Sequence, residues 1–166
     1  MTEAIRFSAD EILDMAQRIE TNGARFYRKA AQQCAGVGAF FQELARQEDV
    51  HFATFGEMRK QLSPQEKDAS VLDPYGEQSM YLKAFVDGYA FEISQDPSQA
   101  LTGKEAAPEV LRMARGLERD SIVFYSSLKD MVPVSLGASR VDAVIKEEMR
   151  HLAWLSAKEA EWRAKG

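Results

Sequence analysis

Four stretches of this chain carry apolar residues at three- and four-residue steps, the spacing that gathers them on one stripe of an α-helix. Near the middle of each stripe sits a glutamate: Glu20, Glu48, Glu118 and Glu148. No run of alternating apolar and polar residues argues for a strand, so the chain reads as all-α. A carboxylate on a core-facing stripe loses its hydration on folding, which is costly unless something positive meets it. These four positions therefore constrain the fold more than the apolar residues around them.

The first long helix is expected over about 8–35, where Ser8 and Glu11 have the spacing of a capping box. Its stripe runs through Leu13, Ala16, Glu20, Ala24, Tyr27 and Ala31, and Gly36 and Gly38 punctuate its end. The second, about 38–62, carries Phe41, Leu44, Ala45, Glu48, His51, Phe52 and Phe55 and stops before Ser63-Pro64. So short a link makes the two antiparallel neighbours. Between 63 and about 107, Pro64, Pro74 and Pro97 divide the chain, and only 75–93 reads as helical. A connection of that length crosses the bundle and brings the next long helix in parallel to the second. The expectation is a single domain over 1–166: a ferritin-like four-helix bundle whose long crossover holds an extra short helix.

The third long helix, about 108–131, starts at Pro108, with Thr102 and Glu105 as a competing cap signal. It runs through Leu111, Ala114, Glu118, Ser121, Ile122, Tyr125 and Leu128. After Val132-Pro133 the fourth, about 139–163, carries Val141, Val144, Ile145, Glu148, His151, Leu152 and Leu155. In each helix the glutamate lies about ten residues from the start, or about 15 Å along the axis, so all four reach one layer of the core.

No lysine or arginine lies on these stripes at that depth, which leaves protons or metal cations to neutralise the layer. The chain's two histidines decide between them. Both stand three residues after a stripe glutamate, Glu48 before His51 and Glu148 before His151, and such a pair offers oxygen and nitrogen to one ion. A single Glu-x-x-His forms surface hydrogen bonds freely, but chance gives both histidines this partner only on the order of one time in a hundred. Two such pairs and two lone glutamates make the ligand set of a carboxylate-bridged di-iron or di-manganese centre in a helix bundle. An internal repeat supports the pairing: IETNGARFY (19–27) matches LERDSIVFY (117–125), and QEDVHF (47–52) matches EEMRHL (147–152).

Glu20 with Phe26-Tyr27, Glu48-x-x-His51, Glu118 with Phe124-Tyr125 and Glu148-x-x-His151 resemble the di-iron domain of the rubrerythrin family, over nearly the whole chain. The resemblance implies two iron ions, with manganese or zinc as substitutes. It implies Glu48 and Glu148 as bridges, and Glu20, Glu118, His51 and His151 as terminal ligands. Familiar members add a carboxylate three residues after the glutamate that Glu118 matches, where this chain has Ser121. They also carry a rubredoxin domain, whereas Cys34 is the sole cysteine here, so the chain resembles the short members and needs an external electron-donor protein. A homodimer is a further implication.

Three activities stay open. The centre could reduce hydrogen peroxide or dioxygen, could oxidise and pass on ferrous iron, or could serve only to stabilise the bundle. Tyr27 and Tyr125, two turns after Glu20 and Glu118, are candidate hydrogen-bond donors to ligand carboxylates, or else core tyrosines. Glu92 in the crossover is a weaker candidate to approach the site, and Glu147, about 100° from Glu148, is a solvated residue or an outer partner. Cys34 reads as a packed small side chain.

The formal charge of -5 without a Lys/Arg run argues against an electrostatic grip on nucleic acid. The first residues, MTEAIRFSAD, lack an apolar leader core, and no segment has the roughly 18 uncharged apolar residues of a membrane span. The expected setting is cytoplasmic.

Overall fold

The computed structural model describes residues 7–68, 73, 75–88 and 95–165. Among them are the α-helices α1 (Ala9–Gln33), α2 (Gly38–Lys60), α3 (Glu77–Gly88), α4 (Ala107–Met131) and α5 (Ala138–Lys165). Tight 3-10 turns occupy Ala35–Val37, Pro97–Ala100 and Val134–Leu136, and the described residues include no strand. No helix among them is long and apolar enough to cross a membrane.

Helix α1 begins as its sequence predicts. The Ser8 hydroxyl accepts from the Glu11 N–H at 3.2 Å while the Glu11 carboxylate accepts from the Ser8 N–H at 2.8 Å, satisfying two donors that a helix start leaves unpaired. It ends at Gln33 rather than 35, because the Cys34 N–H closes the last turn on the Ala30 carbonyl and the chain tightens into the 3-10 turn. Helix α2 likewise stops two residues before 62. The two helices run antiparallel: Arg59 near the end of α2 pairs with Asp10 and Asp14 near the start of α1, at 2.9 and 2.6 Å. Helices α4 and α5 do the same, with Lys129 on Asp142 at 2.9 Å and Arg115 on Glu159 at 2.7 Å.

Both cap signals before α4 are used, for different ends. The Glu105 carboxylate closes a turn on the Thr102 N–H at 3.0 Å and takes the Gln33 side-chain amide at 2.9 Å, which ties the crossover to α1. The helix itself starts at Ala107, with the Glu109 carboxylate on the Ala106 N–H at 2.9 Å. In the crossover, the buried Asp73 carboxylate accepts from the Ser79 N–H at 2.8 Å and opens α3 at Glu77 rather than 75. The expected end of that helix at 93, and Glu92, lie outside the described residues. Leu82 anchors α3 on the bundle, buried against the same apolar cluster as Phe124 and Leu128.

The core is two apolar clusters. One gathers Ile12, Leu13, Phe55, Met58, Phe124, Tyr125 and Leu128. The other gathers Phe26, Tyr27, Phe41, Leu44, Val110, Leu111 and Leu155. Between them in sequence, on all four long helices, stand Glu20, Glu48, His51, Glu118, Glu148 and His151, each at most 4% exposed. Phe52, expected on the α2 stripe, is instead 43% exposed. The buried stripe runs Glu48, His51, Phe55, Met58, and position 52 falls about 100° past His51.

Candidate metal centre

Each glutamate reaches the central layer because its helix turns the apolar stripe inward, and the burial that drives the fold carries the carboxylate with it. The six side chains form two overlapping groups: Glu20, Glu48, His51 and Glu148, and Glu48, Glu118, Glu148 and His151. Within each group the candidate ligand atoms lie within 4.8 Å of one another, and Glu48 and Glu148 belong to both.

The histidines present the same edge to the layer. His51 Nδ1 lies 3.0 Å from Glu148 Oε1 and 3.5 Å from Glu20 Oε2. His151 Nδ1 lies 3.2 Å from Glu148 Oε2 and 3.5 Å from oxygens of Glu48 and Glu118. The rings stack with centroids 5.7 Å apart. Their outer edges are held crosswise by the opposite helix pair: His51 Nε2 meets Glu147 Oε2 at 2.6 Å, and His151 Nε2 meets Gln47 Oε1 at 2.7 Å. Glu147 is thus both partly exposed and the outer partner of a histidine. Only its alignment with Glu147 in the QEDVHF and EEMRHL repeat marks Gln47 in the sequence.

The tyrosines also cross over. The Tyr27 hydroxyl donates to Glu118 Oε1, and the Tyr125 hydroxyl donates to Glu20 Oε1. Burial, reinforced by the charges of Glu118 and Glu20 respectively, pushes both phenols well above their usual range, so each keeps the proton that it donates. Aromatic rings fix their poses. Tyr27 stacks on Phe41 at 6.0 Å and meets the edge of Phe26 at 5.7 Å, while Tyr125 packs on Phe55 at 5.0 Å and Phe124 at 5.8 Å.

Two small residues shape the layer. A Cβ added at Gly23 would stand 2.9 Å from Glu48 Oε2, so only glycine leaves that carboxylate its place. The matching position of α4 is Ser121, which is buried one turn past Glu118.

Whether a metal suits these residues can be judged from their unmet bonds. Glu20 Oε2, Glu48 Oε1, both oxygens of Glu148 and Nδ1 of both histidines are buried with no hydrogen-bond partner. Each such atom costs on the order of 1–3 kcal/mol if nothing meets it. All six belong to the two groups. No lysine or arginine pairs with these four glutamates among the described residues. Without a cation the layer can only hold protons. Burial and the neighbouring carboxylates push Glu20 and Glu118 well above the usual range. Burial alone would lower the histidines, but Glu148 and Glu20 hold His51 up at about 12, and Glu118, Glu148 and Glu48 hold His151 there. Two divalent ions would match the charge of four carboxylates and let both imidazoles be neutral donors. The donor set therefore fits a di-metal site.

Comparison with known proteins agrees with this geometry. No curated protein matches the chain. Among solved structures, a chain from Thermotoga maritima, provisionally assigned as a ferritin-like diiron-carboxylate protein, superposes with a TM-score of 0.73. It is 29% identical, and the match covers 96% of this chain and 99% of that one. The rubrerythrin family model matches residues 11–159, across the four long helices and every candidate ligand. This chain therefore belongs to the rubrerythrin family.

Proposed function

We propose that the two ligand groups hold two iron ions and that the protein reduces hydrogen peroxide or dioxygen with electrons from an external donor protein. The observation that carries this reading is the convergence of six unpartnered buried donor atoms into two groups sharing Glu48 and Glu148. Carboxylate oxygen and imidazole nitrogen suit iron or manganese, and manganese or zinc could occupy the same donors. Glu20 and His51 would hold one ion, Glu118 and His151 the other, and Glu48 and Glu148, which belong to both groups, would contribute to both. When bound, such a pair would supply two electrons, matching the two electrons and two protons that turn one peroxide into two waters.

The chain's own residues set up that exchange. Tyr27 and Tyr125 hold Glu118 and Glu20 in orientation through hydroxyls that keep their protons. The phenylalanines on either side of the layer exclude bulk water, so the carboxylates interact with the ions rather than with solvent. The resemblance to the diiron-carboxylate neighbour supports iron as the resident metal.

Anaerobic ferrous titration followed by stopped-flow mixing with peroxide, and separately with air, tests the reading. The expected result is a fixed stoichiometry of two iron ions per chain and oxidation faster than that of free ferrous ion. Iron loading beyond that stoichiometry would move the assignment to ferroxidase or iron handling. Metal removal that unfolds the chain, with no turnover on reloading, would leave a structural role only. A cytoplasmic homodimer belongs to the same proposal. The face of α3 that exposes Met80 and Tyr81 is the surface a second copy would cover, and a monomeric mass in sedimentation would remove it.

A further inference from the structure

The bonds behind the two histidines differ in a way the near-symmetry of the site hides. His51 Nε2 faces the carboxylate of Glu147 directly, at 2.6 Å. His151 Nε2 faces the amide oxygen of Gln47, at 2.7 Å, and the Gln47 amide nitrogen in turn donates to Glu43 Oε1 at 2.9 Å. That second bond settles which end of the amide meets the ring. Both outer partners are acceptors, so with a metal bound each ring would carry its proton on Nε2 and turn the Nδ1 lone pair into the layer, where both Nδ1 atoms are buried. One imidazole is therefore backed by a carboxylate one hydrogen bond away, itself 3.7 Å from the exposed Arg150 guanidinium. The other meets a neutral amide dipole on its outer edge, with the Glu43 carboxylate one hydrogen bond further out.

A carboxylate accepting from the far nitrogen of a ligating imidazole raises its basicity and fixes its orientation, and loss of such a partner typically weakens metal binding about 10- to 100-fold. Glu147 is 38% exposed, so solvent tempers its field and the lower end of that range applies here. We propose that Glu147 is a positioning residue that makes the two metal positions unequal, so that the His51 position takes its divalent ion about tenfold more tightly than the His151 position. The inference rests on the di-metal reading above. It adds an order of filling, which neither the ligand set nor the shared glutamates contain.

The test uses cobaltous ion as the probe, added without air to the metal-free full chain and followed by visible absorbance and calorimetry. The wild type is expected to bind two ions in two resolved steps. His151→Ala, which leaves the His51 position, should bind its one ion about tenfold more tightly than His51→Ala. Adding Glu147→Gln, which keeps the acceptor oxygen and removes the charge, should erase that advantage in His151→Ala and change nothing in His51→Ala. Adding Gln47→Glu should do the reverse, tightening His51→Ala about tenfold, and it keeps the test open if Glu147→Gln does not fold. Equal affinities in the two histidine variants, with two ions still bound by the wild type, would overturn the inference and leave the di-metal reading standing. A wild type that binds fewer than two ions would overturn the reading itself.

Discussion

Replacing Gly23 by alanine separates the stability of the bundle from the integrity of its centre. The new Cβ would stand 2.9 Å from Glu48 Oε2 and 3.3 Å from Glu48 Cδ. To reach 3.4 Å, where ordinary contact begins, the carboxylate must retreat by about 0.5 Å. A ligand oxygen keeps its bond only within about 0.2 Å, so the retreat takes Glu48 out of coordination range. Because Glu48 belongs to both ligand groups, both positions lose a donor. A loss of about 10- to 100-fold in affinity at each is expected, or about 1.4–2.7 kcal/mol per ion.

The metal-free fold should move the other way. The atom displaced is the end of a flexible side chain, and alanine is favoured over glycine inside a helix by up to about 1 kcal/mol, which raises Tm by about 2–4 °C in a chain of this size. Gly116→Ala in α4, where an added Cβ meets nothing within 4 Å, supplies the control: the same gain in Tm with no change in metal binding. Circular dichroism melts of the metal-free proteins and anaerobic ferrous titrations read the two effects. If Gly23→Ala retains two ions at wild-type affinity, the shared placement of Glu48 is wrong.

Other outcomes follow from the same geometry. Glu48→Ala and Glu148→Ala should each impair both metal positions, whereas His51→Ala should weaken mainly one, as read by the number of ions retained after gel filtration. Tyr27→Phe removes the donor to Glu118 and Tyr125→Phe the donor to Glu20, each of which, with metal keeping the carboxylate ionised, is a charge-assisted hydrogen bond of about 1.5–3 kcal/mol. Each should slow reoxidation of the loaded protein, and unchanged rates would reduce the tyrosines to packing. Metal binding should tighten as pH rises. With His51 and His151 held at about 12 when metal is absent, each ion displaces an imidazole proton throughout the neutral range, so affinity gains about tenfold per pH unit for each proton released. The raised values also stabilise the metal-free fold, fully below the ordinary histidine value of about 6.5 and progressively less as pH climbs toward 12. A pH-independent affinity would remove the protonated layer from the account.

Much of the site was legible along the chain, because a helix repeats locally. The 3.6-residue period is set by each segment's own backbone hydrogen bonds, so Glu48-x-x-His51 and Glu148-x-x-His151 had to share a face with the apolar residues around them. Burial of a charge then demanded a counter-ion, whatever the bundle looked like in detail. The end points of helices were less legible. Gln33 rather than 35 closes α1 because of one bond to Ala30, and Thr102 with Glu105 caps a turn rather than α4.

By itself, then, the sequence determined the all-helical class, the four carboxylates and two imidazoles at one depth, and the repeat that pairs α1 with α4 and α2 with α5. Only the tertiary structure decided who touches whom across helices. Tyr27 serves Glu118 and not its own Glu20, Gln47 backs His151 and Glu147 backs His51, Gly23 makes room for Glu48, and Phe52 turns outward. The physical reason is that periodicity says which face a residue occupies but nothing about the register between two faces. That register comes from ridges packing into grooves and from buried polar atoms finding partners, and both depend on residues that are distant in the chain.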